Sequence, residues 1–98
     1  MNTRKIIVKD IISSALSNID GVQLQIAMDK ILSDRDTVVI SFHGINVMTT
    51  SFLNSSLGNL IDKYNIEILS KIKIVDYTPT IANFLKTYIS NIKSLASC

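Results

Sequence analysis

Apolar positions along the chain fall into blocks of two different spacings. Residues 4–8 (Arg-Lys-Ile-Ile-Val) are short, β-branched and preceded by polar residues. That predicts a strand, which ends at Val8 or continues toward Ile12. Residues 13–21 read two ways. Their Ser, Asn and Asp favour turns, yet Ala15, Leu16 and Ile19 have helical spacing. From Val22 the pattern is plain. Leu24, Ala27, Met28, Ile31 and Leu32 recur at i, i+3, i+4, i+7 and i+8, one stripe of an amphipathic helix with Asp20 as its predicted N-cap.

A polar turn at 34–36 leads into residues 37–42 (Thr-Val-Val-Ile-Ser-Phe). Consecutive apolar residues here predict a central strand buried on both faces. Residues 43–46 form a loop. Leu53, Leu57, Leu60, Ile61 and Tyr64 mark a second helix, capped by Thr49, Thr50 or Ser51. Lys71 and Lys73 alternate with Ile72 and Ile74, which suits an outer strand with one wet face. Thr78 and Pro79 then open a third helix as N-cap and first helical residue. Its stripe is Ile81, Phe84, Leu85, Tyr88, Ile89 and Ile92.

Strand, helix, strand, helix, strand, helix is the signature of a small α/β domain. The expected architecture is a mixed or parallel central sheet of about three to four strands, with helices packed against it by right-handed crossovers. One domain is expected over residues 1–98. Ligands on such sheets favour the rim at the strand carboxyl ends. That places the loop 43–51, the residues 76–78 and the stretch after Val8 in view.

Composition narrows the chemistry. Of the 98 residues, 47% are apolar and 18% charged, enough apolar material for a buried core. Ten basic and eight acidic residues give a formal charge of +2, too weak a field to mark a nucleic-acid or anionic-membrane binder. One His and one Cys cannot build a structural zinc site within one chain, and the lone Cys98 excludes an intrachain disulfide. No phosphate-binding glycine pattern is present. Lys9 and Asp10 interrupt the apolar residues near the N-terminus, so neither a secretory signal nor a spanning helix is expected. The cytoplasm is the expected compartment. No catalytic residue, metal or cofactor is expected.

The segment 38–58 is more specific. It carries an apolar strand ending in Phe42, a loop with Gly44, the triplet Thr50-Ser51-Phe52, and a helix with Asn54 and Gly58. In these features it resembles the STAS-like family, small domains related to the anti-sigma-factor antagonist (STAS) fold. The resemblance is strongest over residues 37–65. In better-understood STAS domains the matching loop reads apolar-Asp-Ser-Ser-Gly. Its second Ser is phosphorylated by a partner kinase of the GHKL ATPase type, and phosphorylation releases the domain. By position, Met48 matches the apolar residue, Thr49 the Asp, Thr50 the first Ser and Ser51 the phosphorylated Ser. Phe52 stands where the motif has Gly. The resemblance thus implies a non-enzymatic regulatory module with Ser51, and Thr50 beside it, as phosphoacceptor. A protein partner, such as a GHKL-type ATPase or kinase, would meet His43, Gly44, Asn46, Met48 and Thr49 in the loop. It would meet Phe52, Asn54, Ser55 and Gly58 in the helix.

The residues also support blander readings. Thr49, Thr50 and Ser51 have the composition of a plain helix cap. A phosphate at a helix start would gain backbone N–H groups and the dipole as partners, and so would a nucleotide phosphate or a partner's carboxylate. A small-ligand or nucleotide sensor using the same loop is therefore a second expectation. The size of the chain also permits a small inhibitor from a mobile element. His43 is read as a loop residue bonded to backbone or water rather than as a base paired with Ser51 and Asp36 or Asp76. Gly44 is expected to provide a positive φ in a tight turn. Gly58 is expected to let its helix approach the sheet. Phe84 and Tyr88 belong to the core and Tyr77 is exposed.

Overall fold

The computed structural model of the chain describes residues 2–96, and the side chains of residues 2–93. The expectations for Cys98 lie outside the described residues. Three parallel strands, β1 (Thr3–Ile7), β2 (Thr37–Ser41) and β3 (Ile72–Val75), form one sheet in the order β1-β2-β3. The predicted central and outer positions of β2 and β3 are both present. With the strands adjacent in chain order, each connection steps the same way, so right-handed crossovers carry the connecting helices over one face.

The pleat records this one-sidedness. Ile6 pairs with Ile40, Val38 with Ile72 and Ile40 with Ile74. On this face Ile6, Val8, Val38, Ile40 and Phe42 are buried in the core, and Ile72 and Ile74 pack against it. The opposite face carries Lys5, Val39 and Lys73 in register, followed by Ile7, Ser41 and Val75. Lys5, Lys73 and Ile7 are exposed, and Val39 and Val75 are half-buried. β2 is therefore central without being covered on both faces.

The first strand ends before Val8. Val8–Ile11 is a single helical turn, α1, closed by Ile12 N–H donating to the Val8 carbonyl at 2.9 Å. Val8 and Ile12 both turn inward, an i, i+4 pair that an extended chain would also place on one side. The first long helix, α2 (Asn18–Ser33), begins four residues before Val22. Its cap is Ser17, whose hydroxyl accepts from Asp20 N–H at 3.2 Å. Asp20 is instead inside the first turn, accepting from the Ser14 hydroxyl at 3.0 Å.

The second helix is one path with a change of pitch. It runs through α3 (Thr50–Leu53), a π-helical segment (Asn54–Gly58) and α4 (Asn59–Tyr64). A 3₁₀ turn (Ile66–Lys71) leads to β3, and α5 (Pro79–Ala96) closes the fold. Thr78 caps α5 as its sequence predicts, accepting from Ile81 N–H at 3.2 Å. Ile81 and Leu85 enter the core, and Phe84 and Tyr88 pack against it.

α2 packs directly on the π-helical segment, and Gly21 makes this possible. A Cβ at position 21 would lie 2.5 Å from the Phe52 carbonyl oxygen and 2.8 Å from Ser55 Cβ. Gly58 does not approach the sheet. It faces α5, where a Cβ would lie 3.0 Å from the Tyr88 hydroxyl. The distinction predicts opposite tolerances. Gly21→Ala drives a methyl into backbone and should destabilise by about 2–3 kcal/mol in denaturant unfolding. Gly58→Ala meets only the end of a side chain and gains helix propensity, so its change should stay within about 1 kcal/mol.

A polar clamp joins α2 to α4 at the far end of the same seam. The Lys63 ammonium lies 2.7 Å from Asp29, and the Tyr64 hydroxyl donates to the other Asp29 oxygen. The hydrogen bonds from Lys63 and then Tyr64 hold the Asp29 carboxyl below the ordinary carboxylate range. The bond to Asp29 raises Lys63, and it raises Tyr64 as well. A carboxyl depressed on folding stabilises above its unfolded pKa and loses that contribution as pH falls through its folded value. The raised Lys63 and Tyr64 stabilise below their unfolded values and lose that contribution as pH rises. The clamp should act from about pH 4 to about pH 10. Asp29→Asn should flatten the acid limb of the stability profile below about pH 4 relative to wild type, read by urea unfolding at stepped pH.

Candidate functional site

The candidate site is built where β2 leaves the sheet. Phe42 N–H donates to the Val75 carbonyl at 3.1 Å, carrying the pairing one residue past the strand. The chain then turns. Ile45 N–H donates to the Phe42 carbonyl at 2.9 Å, with Gly44 at φ +81°, the positive φ that a type II turn demands of its third residue. The tightness has a second cause: a Cβ on Gly44 would lie 3.2 Å from Lys9 Cε. Ile45 and Met48 are buried and anchor the loop. His43, Gly44, Asn46 and Val47 are left exposed between them.

Thr49 fastens the end of this loop in two directions. Its hydroxyl accepts from Phe52 N–H at 3.2 Å, which makes it the N-cap of α3. The same hydroxyl donates to the Leu16 carbonyl at 2.9 Å. Thr49 N–H donates to the Ala15 carbonyl at 3.0 Å, beside a parallel bridge between Ala15 and Met48. The segment before α2 is therefore zipped to the segment before α3. Thr49 being the cap, Thr50 and Ser51 occupy the first two helical positions and are both exposed.

The remaining predicted site residues divide by burial. Phe52 is fully buried in the core, so it supports the helix start from beneath rather than presenting a surface, and Met48 does the same for the loop. Ser55 is half-buried against Gly21. Asn54 is exposed and accepts from the Tyr88 hydroxyl at 2.8 Å. Burial pushes the Tyr88 hydroxyl above its ordinary pKa, aided by the Asp62 charge. Asn54 and Gly58 thus line a groove of about 370 Å³ against α5, apart from the exposed loop at 43–47.

Three features were not foreseen from the residues. Ser41, at the end of β2, is buried and donates to Asp76 at 2.7 Å, 35 residues on. Asp76 adopts φ 57° and lies 3.9 Å from the Lys5 ammonium. His43 joins this cluster only through its backbone N–H, which donates to the Ser41 hydroxyl at 3.3 Å. Asp36 lies at the start of β2, bonded to Asn2 N–H at 3.0 Å and to Arg4 at 3.2 Å. Neither carboxylate orients His43 toward Ser51. The other two features are the Gly21 contact and the tie from Thr49 to Leu16. An isolated Gly within a helical pattern was the one available signal, at Gly21.

A shallow cleft of about 200 Å³ opens between the two zipped segments, lined by Lys9, Ser13, Ser14, Leu16, Asn46 and Val47 among others. Among the described residues no group of three or more His, Cys, Asp or Glu is placed to hold a metal, and no helix is long and apolar enough to cross a membrane.

The division between Thr49 and Ser51 has a measurable consequence. Thr49→Ala removes the cap and the tie to Leu16 together and should destabilise by about 1–2 kcal/mol. Ser51→Ala, at an exposed position without a capping role, should stay within about 0.5 kcal/mol in the same unfolding assay.

Comparison with known proteins gives one family match. The family model described as "STAS-like domain of unknown function (DUF4325)" matches residues 20–82. The match begins in the first turn of α2 and ends in the first turns of α5, so it contains β2, β3, the loop between β2 and α3, and the Gly21 contact. No curated protein and no solved structure matches the chain. With most of its length inside that match, the chain belongs to the STAS-like family.

Proposed function

We propose that this domain is a non-enzymatic regulatory module. It docks a protein partner of the GHKL ATPase or kinase type through the exposed loop at 43–47 and the start of α3. Ser51, with Thr50 beside it, is the phosphoacceptor that switches the contact. The observation that carries this reading is the placement of the cap. Thr49 satisfies the helix start, which leaves the Ser51 and Thr50 hydroxyls on the surface. A phosphate there adds about 1.5–2 negative charges beside backbone N–H groups and the positive end of a helix, where negative charge is favoured. The domain can therefore take the charge without refolding, and the change falls on the partner's side of the contact.

A specific observation favours one other reading. The cleft between residues 9–16 and 44–47 lies at the carboxyl ends of β1 and β2, the customary ligand rim of a parallel sheet. Lys9, Ser13, Ser14 and Asn46 would give a small anionic or nucleotide ligand its polar contacts there.

One set of measurements separates the two. Tagged protein purified from its source cells should carry phosphate at Ser51 or Thr50 by mass spectrometry and should retain an ATPase. Ser51→Asp should reduce that retention at least about tenfold, while Ser51→Ala keeps it. An unmodified protein without an ATPase removes the switch. A rise in melting temperature with added nucleotide, abolished by Lys9→Ala, supports the ligand reading instead.

A further inference from the structure

The groove between the second helix and α5 has a chemistry of its own. Asn54, Gly58 and Asp62 stand in one row at i, i+4 and i+8, facing Tyr88 and Ile92 at i and i+4 on α5. Its volume of about 370 Å³ falls within the ~300–1,000 Å³ of small-ligand sites. Gly58 keeps the groove open. A Cβ there would lie 3.0 Å from the Tyr88 hydroxyl and 3.9 Å from Asn54 Cβ, and both residues belong to the lining. Gly58 also closes the π-helical segment, and such widened turns recur at functional sites. Neither the phosphoacceptor nor the ligand reading uses this groove.

The hydrogen-bonding groups of the lining are one-sided. The Tyr88 proton goes to Asn54 Oδ1 at 2.8 Å, which leaves the Tyr88 oxygen as an acceptor and the Asn54 amide nitrogen as a donor. The Asn59 amide nitrogen donates to the Ser55 carbonyl at 3.1 Å and to Gln25 Oε1 at 3.4 Å, so its own oxygen is left over as an acceptor. Asp62 is exposed, and among the described residues nothing pairs with its carboxylate. It is also the only charged residue among those that line the groove. The lysines nearest in sequence are placed elsewhere. Lys63 is held by Asp29 at 2.7 Å, and Lys93 lines a separate groove of α5 with Lys86. Acceptors, one of them an anion, therefore outnumber donors. Ile61 and Ile92, both half-buried, add apolar wall.

We propose that this groove seats an arginine side chain presented by a partner protein. A guanidinium has five N–H donors and no acceptor, which matches the surplus in the lining. Its planar fork spreads over the Asp62 carboxylate, the Asn59 oxygen and the Tyr88 oxygen, whereas an ammonium gathers its donors at one point. The aliphatic stem lies along Ile61 and Ile92. The groove is open on one side, so a free small molecule would remain largely in water. A side chain carried on a larger surface draws the rest of its affinity from contacts around the groove. The site is separate from Ser51 and stands or falls without the phosphoacceptor reading.

The probe is N-acetylarginine amide, titrated into the isotope-labelled full chain. It should move the amide signals of residues 54–62 and 88–92 with a dissociation constant of about 1 mM, the range for a ligand of so few atoms. Asp62→Asn keeps the shape, removes the charge and should weaken binding at least about fivefold. Gly58→Ala fills the groove and should weaken it to a similar degree. Asp10→Asn, an exposed carboxylate outside the groove, should leave it unchanged. Signals away from the groove that match wild type show each variant to be folded. N-acetyllysine amide should bind at least about threefold more weakly. Unmoved signals at 54–62 and 88–92 under ~50 mM probe, far above the expected constant, overturn the proposal. So does wild-type binding in Asp62→Asn or Gly58→Ala, or an equal loss in Asp10→Asn. Equal binding of the lysine probe overturns the choice of arginine. Spermidine binding at least about tenfold tighter than the arginine probe overturns the side chain in favour of a free polyamine.

Discussion

The close contact of Gly21 with the backbone at Phe52 sets the rest of the molecule. A parallel sheet covered on one face needs its two connecting helices side by side, and their separation is decided by what stands between them. At this crossing nothing does: a β-carbon on residue 21 would overlap the Phe52 carbonyl oxygen. That carbonyl also accepts from the Ser56 hydroxyl at 2.8 Å, and Ser56 is fully buried. The serine supplies a local donor where the helix widens to i+5 spacing over Asn54–Gly58. The widened turn, the buried hydroxyl and the missing side chain are therefore parts of one packing solution. The Phe52 ring reaches the core beneath it.

The start of α3 inherits its position from this contact. Phe52 and Gly21 hold it from below, and Thr49 holds it from the front through Leu16 and Ala15. The segment before α2 thus serves two purposes. It orients α2 for its approach to Phe52, and it provides the carbonyl groups that fix the loop after β2. A hydroxyl at position 51 is carried on a helix end with little freedom to move, although the side chain itself is in solvent.

Much of this was legible in the residues because it depends on local periodicity. The buried stripe of α2, the Thr78–Pro79 start of α5, the Gly44 turn and the edge position of β3 each follow from neighbours within a few residues. What escaped depends on partners far along the chain. The contact of Gly21 with Phe52 and the bond of Ser41 to Asp76 join residues about 30 apart, and no local rule encodes them. The one-turn helix at Val8–Ile11 is ambiguous for another reason. Val8 and Ile12 fall on the same side under either a strand or a helical spacing, so their burial does not choose between the two. The run Val38-Val39-Ile40 misled in its own way. It has the composition of a strand covered on both faces, yet Val39 is shielded only partly, in line between Lys5 and Lys73.

That pair of lysines explains how the molecule can leave the apolar residues of the open sheet face in solvent. On the open face of the sheet, Val39 and its neighbours are flanked by charge in register. Docking another apolar layer there would strip water from both ammonium groups, and the desolvation outweighs the small apolar gain. The outward line of Ile19, Val22 and Ile26 on α2 also stands beside charge, since Asp29 lies three residues from Ile26 and is held by the Lys63 ammonium at 2.7 Å. Water held by that ion pair borders the apolar residues, as the water on Lys5 and Lys73 borders Val39.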